Sequence, residues 1–287
     1  MPSLFTSMRR LCISAISYLN TAPLMWDFEH GETREQLRQQ FDVTYTIPSA
    51  CAESLRSGTA DIGIIPVAAY ATIPGLVVLP GVAIAAQHAV RSILLVSEKP
   101  LDQVKTVALD TSSMTSVALC KVLLVKWLGG PREYRSMAPD LKAMLASCDA
   151  ALLIGDPALL IQRARYATVI DLAGEWRKQT GKPFVFAFWA VREEAIAQPG
   201  NGPGTASDSV RSLAKVFQSS RDHGLSPESV RSIAREWAPR LSLSEGELTR
   251  YLTENIYYFL DQACQDGLRL FYSCAAECGA LPTVTFP

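Results

Sequence analysis

Short, almost continuously apolar runs recur through the first two thirds of this chain, and each is followed by a polar or proline-containing turn and a helix-compatible segment. The clearest runs lie at Leu11–Ile16, at residues 61–67, at residues 106–109 and at Ala150–Ile154. A strand that is apolar at nearly every position is buried on both faces, and a helix between two such strands allows them to run parallel. The pattern therefore predicts a parallel α/β sheet covered by helices on both faces.

Two sets of these strand–helix–strand units are joined by two long apolar runs, near residues 90–97 and 184–190. The chain leaves the first set, builds the second and returns. We therefore predict two lobes, with residues 1–90 and 190–287 in lobe 1 and residues 91–189 in lobe 2. Two crossings leave a cleft between the lobes, and such clefts are favoured ligand sites.

Local signals add further expectations about where the helices lie. We expect a helix over residues 29–40, and another over residues 51–57, with Pro48 excluded from its interior and Ser49 available as its N-cap. We also expect a helix around residues 158–165, a surface loop over residues 198–209, and one helix over residues 244–267. Ser244 and Glu247 have the spacing of a capping box at the start of that last helix.

Composition excludes several classes of protein. The chain has 287 residues, is 48% hydrophobic and 19% charged, and carries a net charge of −1, so we expect a globular protein that binds neither nucleic acid nor a membrane surface. Arg9 and Arg10 before an apolar run imitate a secretory signal, but polar residues break the run. Seven cysteines without a CxxC pair suit reduced thiols and a cytoplasmic location, although Cys274 and Cys278 leave a disulfide open.

The turn after the first predicted strand reads SYLNTAPL at residues 17–24. Open α/β sheets bind ligands just beyond the carboxyl ends of their strands. Asn20 is the notable residue there, because its amide both donates and accepts hydrogen bonds without carrying charge. Capping of the next helix and contact with a ligand remain equally good interpretations of Asn20.

Hydroxyl groups crowd the start of the helix that follows the strand at residues 106–109. They belong to Thr111, Ser112, Ser113, Thr115 and Ser116. The free N–H groups and the dipole of a helix N-terminus favour an anion, so we expect a carboxylate or phosphate here. The alternative is ordinary N-capping, for which one hydroxyl is enough.

Three other residues are weaker candidates for the same cleft. Asp156 follows a predicted strand, where an aspartate is most often a helix cap and less often a ligand contact. Arg91 lies in an apolar strand, where it needs a partner or a ligand carboxylate unless it points outward at the strand end. Ser49 supplies a second hydroxyl at a helix start on the same side.

Several common chemistries lack their signatures. The three histidines are far apart, so we expect no metal site. GxGxxG, GxxxxGK[ST] and GxSxG are missing, so neither a nucleotide cofactor nor a serine nucleophile is indicated. A neutral, hydroxyl-rich cleft with an arginine suits a small organic acid.

Six segments occur in an order that resembles a known family. They are SYLNTAPL at 17–24, DIGIIPV at 61–67, RS at 91–92, DTSSMTS at 110–116, IGDPA at 154–158, and the stretch from EW at 175–176 to TGKPFVFAFW at 180–189. Over about residues 11–270 the chain resembles the chorismate dehydratases of the futalosine route to menaquinone. The resemblance implies a two-lobed type II periplasmic-binding-protein-like fold with two crossover strands. It also implies a hydro-lyase that eliminates water from chorismate to give 3-((1-carboxyvinyl)oxy)benzoate.

The resemblance also implies a site. Asn20 would be the catalytic residue, acting by positioning the substrate, while the enolpyruvyl carboxylate of chorismate takes the proton. Aromatisation of the ring drives the reaction, so no cofactor is expected, and the protein would be a monomer or homodimer. The expected substrate contacts are Tyr18, Ser49, Arg91, Ser92, Thr111, Ser112, Ser113, Thr115, Gly155 and Asp156.

Two rival functions remain open. A solute-binding protein for a small organic acid would have the same fold and cleft, but it would carry a signal peptide or lipoprotein cysteine. The sister enzyme of the same pathway, which forms a dihydroxynaphthoate, also shares the fold. The segment around Asn20 fits the dehydratase better.

Overall fold

The computed structural model describes residues 9–196 and 205–286, which form two β-sheets and the helices that pack on them. The strands in these ranges are β1 (Leu11–Ile16), β2 (Phe41–Thr46), β3 (Ile62–Pro66), β4 (Leu76–Ala86), β5 (Ile93–Ser97), β6 (Thr106–Asp110), β7 (Glu133–Met137), β8 (Ala150–Ile154), β9 (Thr168–Asp171) and β10 (Phe184–Arg192). The α-helices are α1 (Trp26–Glu29), α2 (Arg34–Gln40), α3 (Pro48–Ser57), α4 (Val67–Tyr70), α5 (Met114–Trp127), α6 (Leu141–Ser147), α7 (Gly155–Leu159), α8 (Leu172–Thr180), α9 (Glu193–Ile196), α10 (Thr205–Gly224), α11 (Pro227–Leu241), α12 (Glu245–Arg250) and α13 (Gln262–Glu277).

Each sheet contains both parallel and antiparallel pairs. The first has the order β2-β1-β3-β10-β4 and the second β7-β6-β8-β5-β9. The predicted parallel pairing holds for β1 with β2 and β3, and for β6 with β7 and β8. The sheets are parallel only in part, because β10 and β5, the joining runs for which no pairing was predicted, run antiparallel to both of their neighbours.

The chain passes between the sheets twice, through residues 87–92 and through residues 181–183. The strands next to these crossings each lie within a single sheet: β5 pairs in the second sheet and β10 in the first. The predicted strand at residues 90–97 begins only at Ile93. The lobe boundaries at residues 90 and 190 stay a prediction, and β10 spans the second of them.

Several helix predictions are wrong in their bounds. The helix expected over residues 29–40 is divided into α1 and α2. Ser49 is not an N-cap, because α3 begins at Pro48, whose fixed φ suits a first helical position, and Ile47 precedes it. The helix expected at residues 158–165 is the short α7 followed by a 3-10 turn at Arg163–Arg165. Residues 198–204 of the predicted loop lie outside the described residues, and residues 205–209 belong to α10.

The single helix expected over residues 244–267 is also wrong. The capping box of Ser244 and Glu247 starts α12, which continues into a π-helical turn at Tyr251–Asn255. The chain is then extended, and Tyr257 forms a bridge with Ala85 of β4. A new helix, α13, starts where the Asp261 carboxylate accepts a hydrogen bond from the Cys264 N–H at 2.8 Å.

Aromatic side chains fill the core beside the second crossing. Trp176 packs edge-on against Phe184 and Phe271, and its indole N–H donates to the Pro183 carbonyl at 3.2 Å. One continuous hydrophobic cluster contains strands of both sheets. The seven cysteines are free, so Cys274 and Cys278 form no disulfide here. Within the described residues, no helix has the length and apolar character that crossing a membrane requires.

Candidate active site

A cavity of about 50 Å³ lies between the two sheets, at the ends of β1, β3 and β8. Its walls come from the loop after β1, the first turn of α5, the residues before β5 and the middle of β10. Six of the predicted site residues line it, namely Tyr18, Asn20, Ser92, Ser113, Thr115 and Gly155. Tyr18 is the only titratable side chain among the described residues that line this cavity, so the wall carries no charged group. Most of the lining is apolar, and the Asn20 amide and five hydroxyl side chains supply its polar part.

The structure contradicts one of the two interpretations of Asn20. The loop after β1 forms a 3-10 helix at Leu19–Met25, and no side chain caps its start. Asn20 lines the cavity, and its Oδ1 accepts a hydrogen bond from Thr21 Oγ1 at 3.4 Å. The side chain therefore does not cap the helix, and its contact with a ligand stays a prediction.

The first turn of α5 uses some of its hydroxyls to hold the fold. Ser113 is the N-cap and accepts from the Ser116 N–H at 3.1 Å. Thr115 Oγ1 donates to the Phe186 carbonyl at 3.1 Å and accepts from the Ala68 N–H at 3.2 Å, so it links α5 to β10 and α4. Ordinary capping therefore accounts for Ser113 and cross-linking for Thr115, although both still face the cavity.

A buried carboxylate holds the Tyr18 side of the cavity. Asp110 is fully buried and accepts from the Ser112 N–H at 2.8 Å, from Ser112 Oγ at 2.5 Å and from the Ile154 N–H at 3.2 Å. Burial raises the pKa of Asp110. Ser112 in turn hydrogen-bonds the hydroxyl of Tyr18, whose pKa burial also raises. This arrangement fixes the Tyr18 ring against the cavity.

Gly155 meets two independent requirements at the start of α7. Its φ is +65°, a left-handed conformation that glycine adopts without strain. A Cβ added here would lie 2.8 Å from the Tyr18 ring. Its N–H donates to the Ser92 carbonyl at 2.8 Å. The glycine thus lets the Tyr18 ring and the backbone approach each other across the cavity.

Asp156 follows Gly155 but does not cap α7, which begins after Ile154 without a side-chain cap. Its Oδ1 accepts from the Leu19 N–H at 3.2 Å, a contact between the loop after β1 and the second sheet. Burial raises the pKa of Asp156 to about 6, with the Leu19 hydrogen bond opposing the shift. Asp156 lies outside the cavity lining, beside its wall.

Arg91 differs from the prediction because it precedes β5 and has a left-handed φ of 65°. The Asp171 carboxylate causes this turn by accepting the Val90 N–H at 3.0 Å and the Arg91 N–H at 2.7 Å. Asn255 Nδ2 donates to the Ala89 carbonyl at 3.0 Å. The crossing at residues 87–92 is held from both sides, and Arg91 is not part of the cavity lining.

Two more predicted contacts lie outside the lining. Thr111 is exposed, and its N–H donates to the Met137 carbonyl at 3.0 Å. Ser49 contributes its backbone, whose N–H donates to the Ser112 carbonyl at 3.2 Å. The Ser49 and Leu19 hydrogen bonds both close the cleft from the first sheet to the second.

Sequence reasoning missed Tyr251, which is 1% exposed and donates from its hydroxyl to Ser92 Oγ at 2.9 Å. It comes from the π-helical turn that sequence analysis had placed in the middle of a long helix. No spacing in the sequence signals this contact, because 159 residues separate the partners. Asp171 and Asp110 were also missed as the residues that hold the walls of the cavity.

The described residues contain no group of three or more His, Cys, Asp or Glu side chains arranged to hold a metal ion. The polar groups that line the cavity are the Asn20 amide and the hydroxyls of Tyr18, Ser92, Ser113, Thr115 and Ser116. Such groups bind and stabilise anionic oxygens.

Comparison with known proteins gives the family. A family model described as menaquinone biosynthesis matches residues 11–277. The chain belongs to this menaquinone biosynthesis family. Among curated relatives, the chorismate dehydratase of Thermus thermophilus is 32% identical to this chain. The alignment covers 96% of this chain and 97% of that relative. A chorismate dehydratase of Campylobacter jejuni is 30% identical over 31% of this chain and 40% of its own.

Solved structures confirm the predicted fold class for this menaquinone biosynthesis family member. Protein AF1704 of Archaeoglobus fulgidus has a TM-score of 0.68 at 16% identity, covering 95% of this chain and 98% of its own. The periplasmic aliphatic sulphonate binding protein SsuA of Escherichia coli has a TM-score of 0.63 at 14% identity, covering 96% and 94%. The fold is that of the periplasmic binding proteins, and identities this low say nothing about the ligand.

Proposed function

We propose that the protein is a chorismate dehydratase, a hydro-lyase that converts chorismate to 3-((1-carboxyvinyl)oxy)benzoate and water. The observation that carries this proposal is the cavity between the two sheets, which the Asn20 amide and five hydroxyl side chains line without any charged group. The near full-length similarity to the Thermus thermophilus chorismate dehydratase supports the same substrate. Both curated relatives bear that name, which favours the dehydratase over the dihydroxynaphthoate-forming enzyme.

Binding must accommodate a dianion. Ser113, Thr115 and Ser116 of the first turn of α5 line the cavity, and the free N–H groups of a helix N-terminus suit one carboxylate. Asn20 and Ser92 supply further donors to the same cavity. Thr115 and Gly155 complete the wall, and Ser112 and Asp156 support it from behind. Ser49, Arg91 and Thr111 take no direct part in this proposal.

The proton that leaves chorismate is vinylogous to the ring carboxylate, so negative charge develops on that group as the C–H bond breaks. Hydrogen bonds aimed at this carboxylate stabilise the charge. The cavity wall contains no histidine, lysine or carboxylate side chain among the described residues to act as a base. The enolpyruvyl carboxylate of the substrate accepts the proton, the hydroxyl group departs as water, and the ring becomes aromatic.

Asn20 is the group that positions the substrate for this transfer. An amide has no pKa suited to proton abstraction, but it holds a carboxylate by hydrogen bonding. Positioning the internal base against the C–H bond replaces an encounter in solution by a step within one bound molecule. A volume of about 50 Å³ is too small for a molecule of the size of chorismate, so binding requires the lobes to move apart.

Incubation of the purified protein with chorismate tests the proposal. We expect the diene absorbance to disappear and the aromatic product to appear in proton NMR spectra, also in the presence of a metal chelator. Unchanged chorismate at high protein concentration contradicts the proposal. If chorismate nevertheless binds, that result favours a solute-binding protein. The cytoplasmic location and the monomeric or dimeric state remain predictions.

A further inference from the structure

The hydroxyl of Tyr251 connects two residues of the cavity wall. It donates to Ser92 Oγ at 2.9 Å, and both residues are 1% exposed. Burial, the largest effect, raises the pKa of Tyr251, and the neighbouring Ser92 and Asn20 side chains oppose that shift. The buried phenol therefore hydrogen-bonds Ser92 and lies beside Asn20, which lines the same cavity.

The number of protons on the phenol limits how it can interact with each neighbour. A tyrosine hydroxyl carries one proton, and here that proton goes to Ser92 Oγ. Toward Asn20 the phenol oxygen can then only accept, which requires the amide to turn its Nδ2 toward Tyr251. The opposite amide atom, Oδ1, accepts from Thr21 Oγ1 at 3.4 Å, which is consistent with this orientation.

Each of the two wall residues keeps one donor for the cavity. The amide of Asn20 has two N–H groups, of which Tyr251 takes one. Ser92 Oγ accepts from Tyr251, so its own O–H proton is free to be donated. Both side chains line the cavity. An amide N–H and a hydroxyl, fixed by one phenol, thus converge where a carboxylate of the substrate would lie.

The segment that carries Tyr251 is itself held in place. Tyr251 begins the π-helical turn, a rare geometry that recurs at functional sites. At the other end of the turn, Asn255 Nδ2 donates to the Ala89 carbonyl at 3.0 Å. The two hydrogen bonds fix the turn against the crossing at residues 87–92, so the Tyr251 hydroxyl has one position.

We propose that Tyr251 is a positioning residue that orients the Asn20 amide and the Ser92 hydroxyl, so that both donate to the substrate carboxylate on which negative charge develops. This inference rests on the proposed dehydratase function. Donors fixed before the reaction stabilise the charge of the transition state more than the charge of the bound substrate. Tyr251 therefore acts on turnover through Asn20 and Ser92 without touching the substrate.

Tyr251→Phe tests the proposal, with Tyr258→Phe as the matched control. Tyr258 is also fully buried, lies close to Tyr251, and has a hydroxyl without a hydrogen-bond partner among the described residues. For Tyr251→Phe we expect kcat on chorismate to fall by about tenfold or more, with KM changed by less than about threefold. For Tyr258→Phe we expect kcat and KM to stay at the wild-type values.

A Tyr251→Phe variant that retains the kcat of Tyr258→Phe overturns the proposal. So does a parallel loss of kcat and folded protein in both variants, which indicates a packing role. Ser92→Ala covers the case in which Tyr251→Phe fails to fold, because it removes the same hydrogen bond by deleting one hydroxyl. We expect it to lower kcat selectively, and the double variant to lose no more than the more impaired single variant. If the losses of kcat in the two single variants add up in the double variant, Tyr251 and Ser92 act independently and the proposal is contradicted. A wild-type protein that leaves chorismate unchanged refutes the proposed function itself.

Discussion

Replacing Asp156 by Asn tests the electrostatics of the contact between the two sheets. Burial raises the pKa of this carboxyl from 3.8 to about 6. A carboxyl whose pKa is raised in the folded state is more easily ionised in the unfolded chain. Its contribution to stability is therefore greatest below pH 3.8 and is lost as the pH rises through about 6. Asn is nearly isosteric, stays neutral at every pH, and can still accept the Leu19 N–H.

The size of the expected change in stability follows from the pKa shift of Asp156. A rise from 3.8 to about 6 corresponds to about 3 kcal/mol in the free energy of unfolding. Part of the Asp156 side chain reaches solvent, which reduces the expected effect to about 1–2 kcal/mol. We therefore expect Asp156→Asn to raise the free energy of unfolding by about 1–2 kcal/mol near pH 8, and the difference to vanish near pH 4.

Urea unfolding of both proteins between about pH 4 and pH 8, followed by tryptophan fluorescence, measures this difference. Asp149→Asn provides a control of opposite sign. Hydrogen bonds from Lys99 and from the backbone N–H groups of Lys105 and Thr106 hold the pKa of Asp149 far below its ordinary value. That variant should be destabilised at neutral pH. The expectation is wrong if Asp156→Asn raises the free energy of unfolding by the same amount at every pH, or if it lowers the free energy of unfolding near pH 8.

Two further substitutions test the walls of the cavity. Gly155→Ala places a Cβ 2.8 Å from the Tyr18 ring at a φ of +65°. The matched control is Gly181→Ala, which has a φ of +69° but open space around its Cβ. We expect Gly155→Ala to lose chorismate binding and to lose about 1–3 kcal/mol more stability than the control. Denaturant unfolding and calorimetric titration measure both quantities, and equal effects of the two variants contradict this account. Ser113→Ala and Ser226→Ala each remove a helix N-cap, so both should lose about 1 kcal/mol of stability, but only Ser113→Ala should weaken chorismate binding. Equal chorismate affinity in these two variants contradicts the anion-binding interpretation of α5.

The buried strands could be predicted from the sequence because their apolar runs are short and bounded by turns. β1 and β8 have the predicted bounds. Strand direction could not be predicted in the same way, because a run that is apolar on both faces reads identically in parallel and antiparallel pairing. The antiparallel pairing of β10 and β5 could therefore not be read from their apolar runs.

The site residues that could be predicted are those that directly follow a predicted strand in the sequence. Asn20 and Ser113 follow directly from the ends of β1 and β6. Arg91 could not be placed, because its left-handed turn is set by Asp171, 80 residues further along. Tyr251 could not be found, because its position depends on a π-helical turn that docks on the crossing at residues 87–92. Contacts between distant segments carry no periodic signal.

The Asn20→Ala variant, compared with Ser17→Ala, tests the central claim most directly. Ser17 lies in the same loop, but its exposed hydroxyl donates to the Thr46 carbonyl away from the cavity. We expect Asn20→Ala to lower kcat on chorismate by about a hundredfold or more while the Kd for chorismate changes by less than about tenfold. Ser17→Ala should match the wild type in both. Near-normal turnover by Asn20→Ala would contradict the role given to this residue and, with it, the account of how the cavity works.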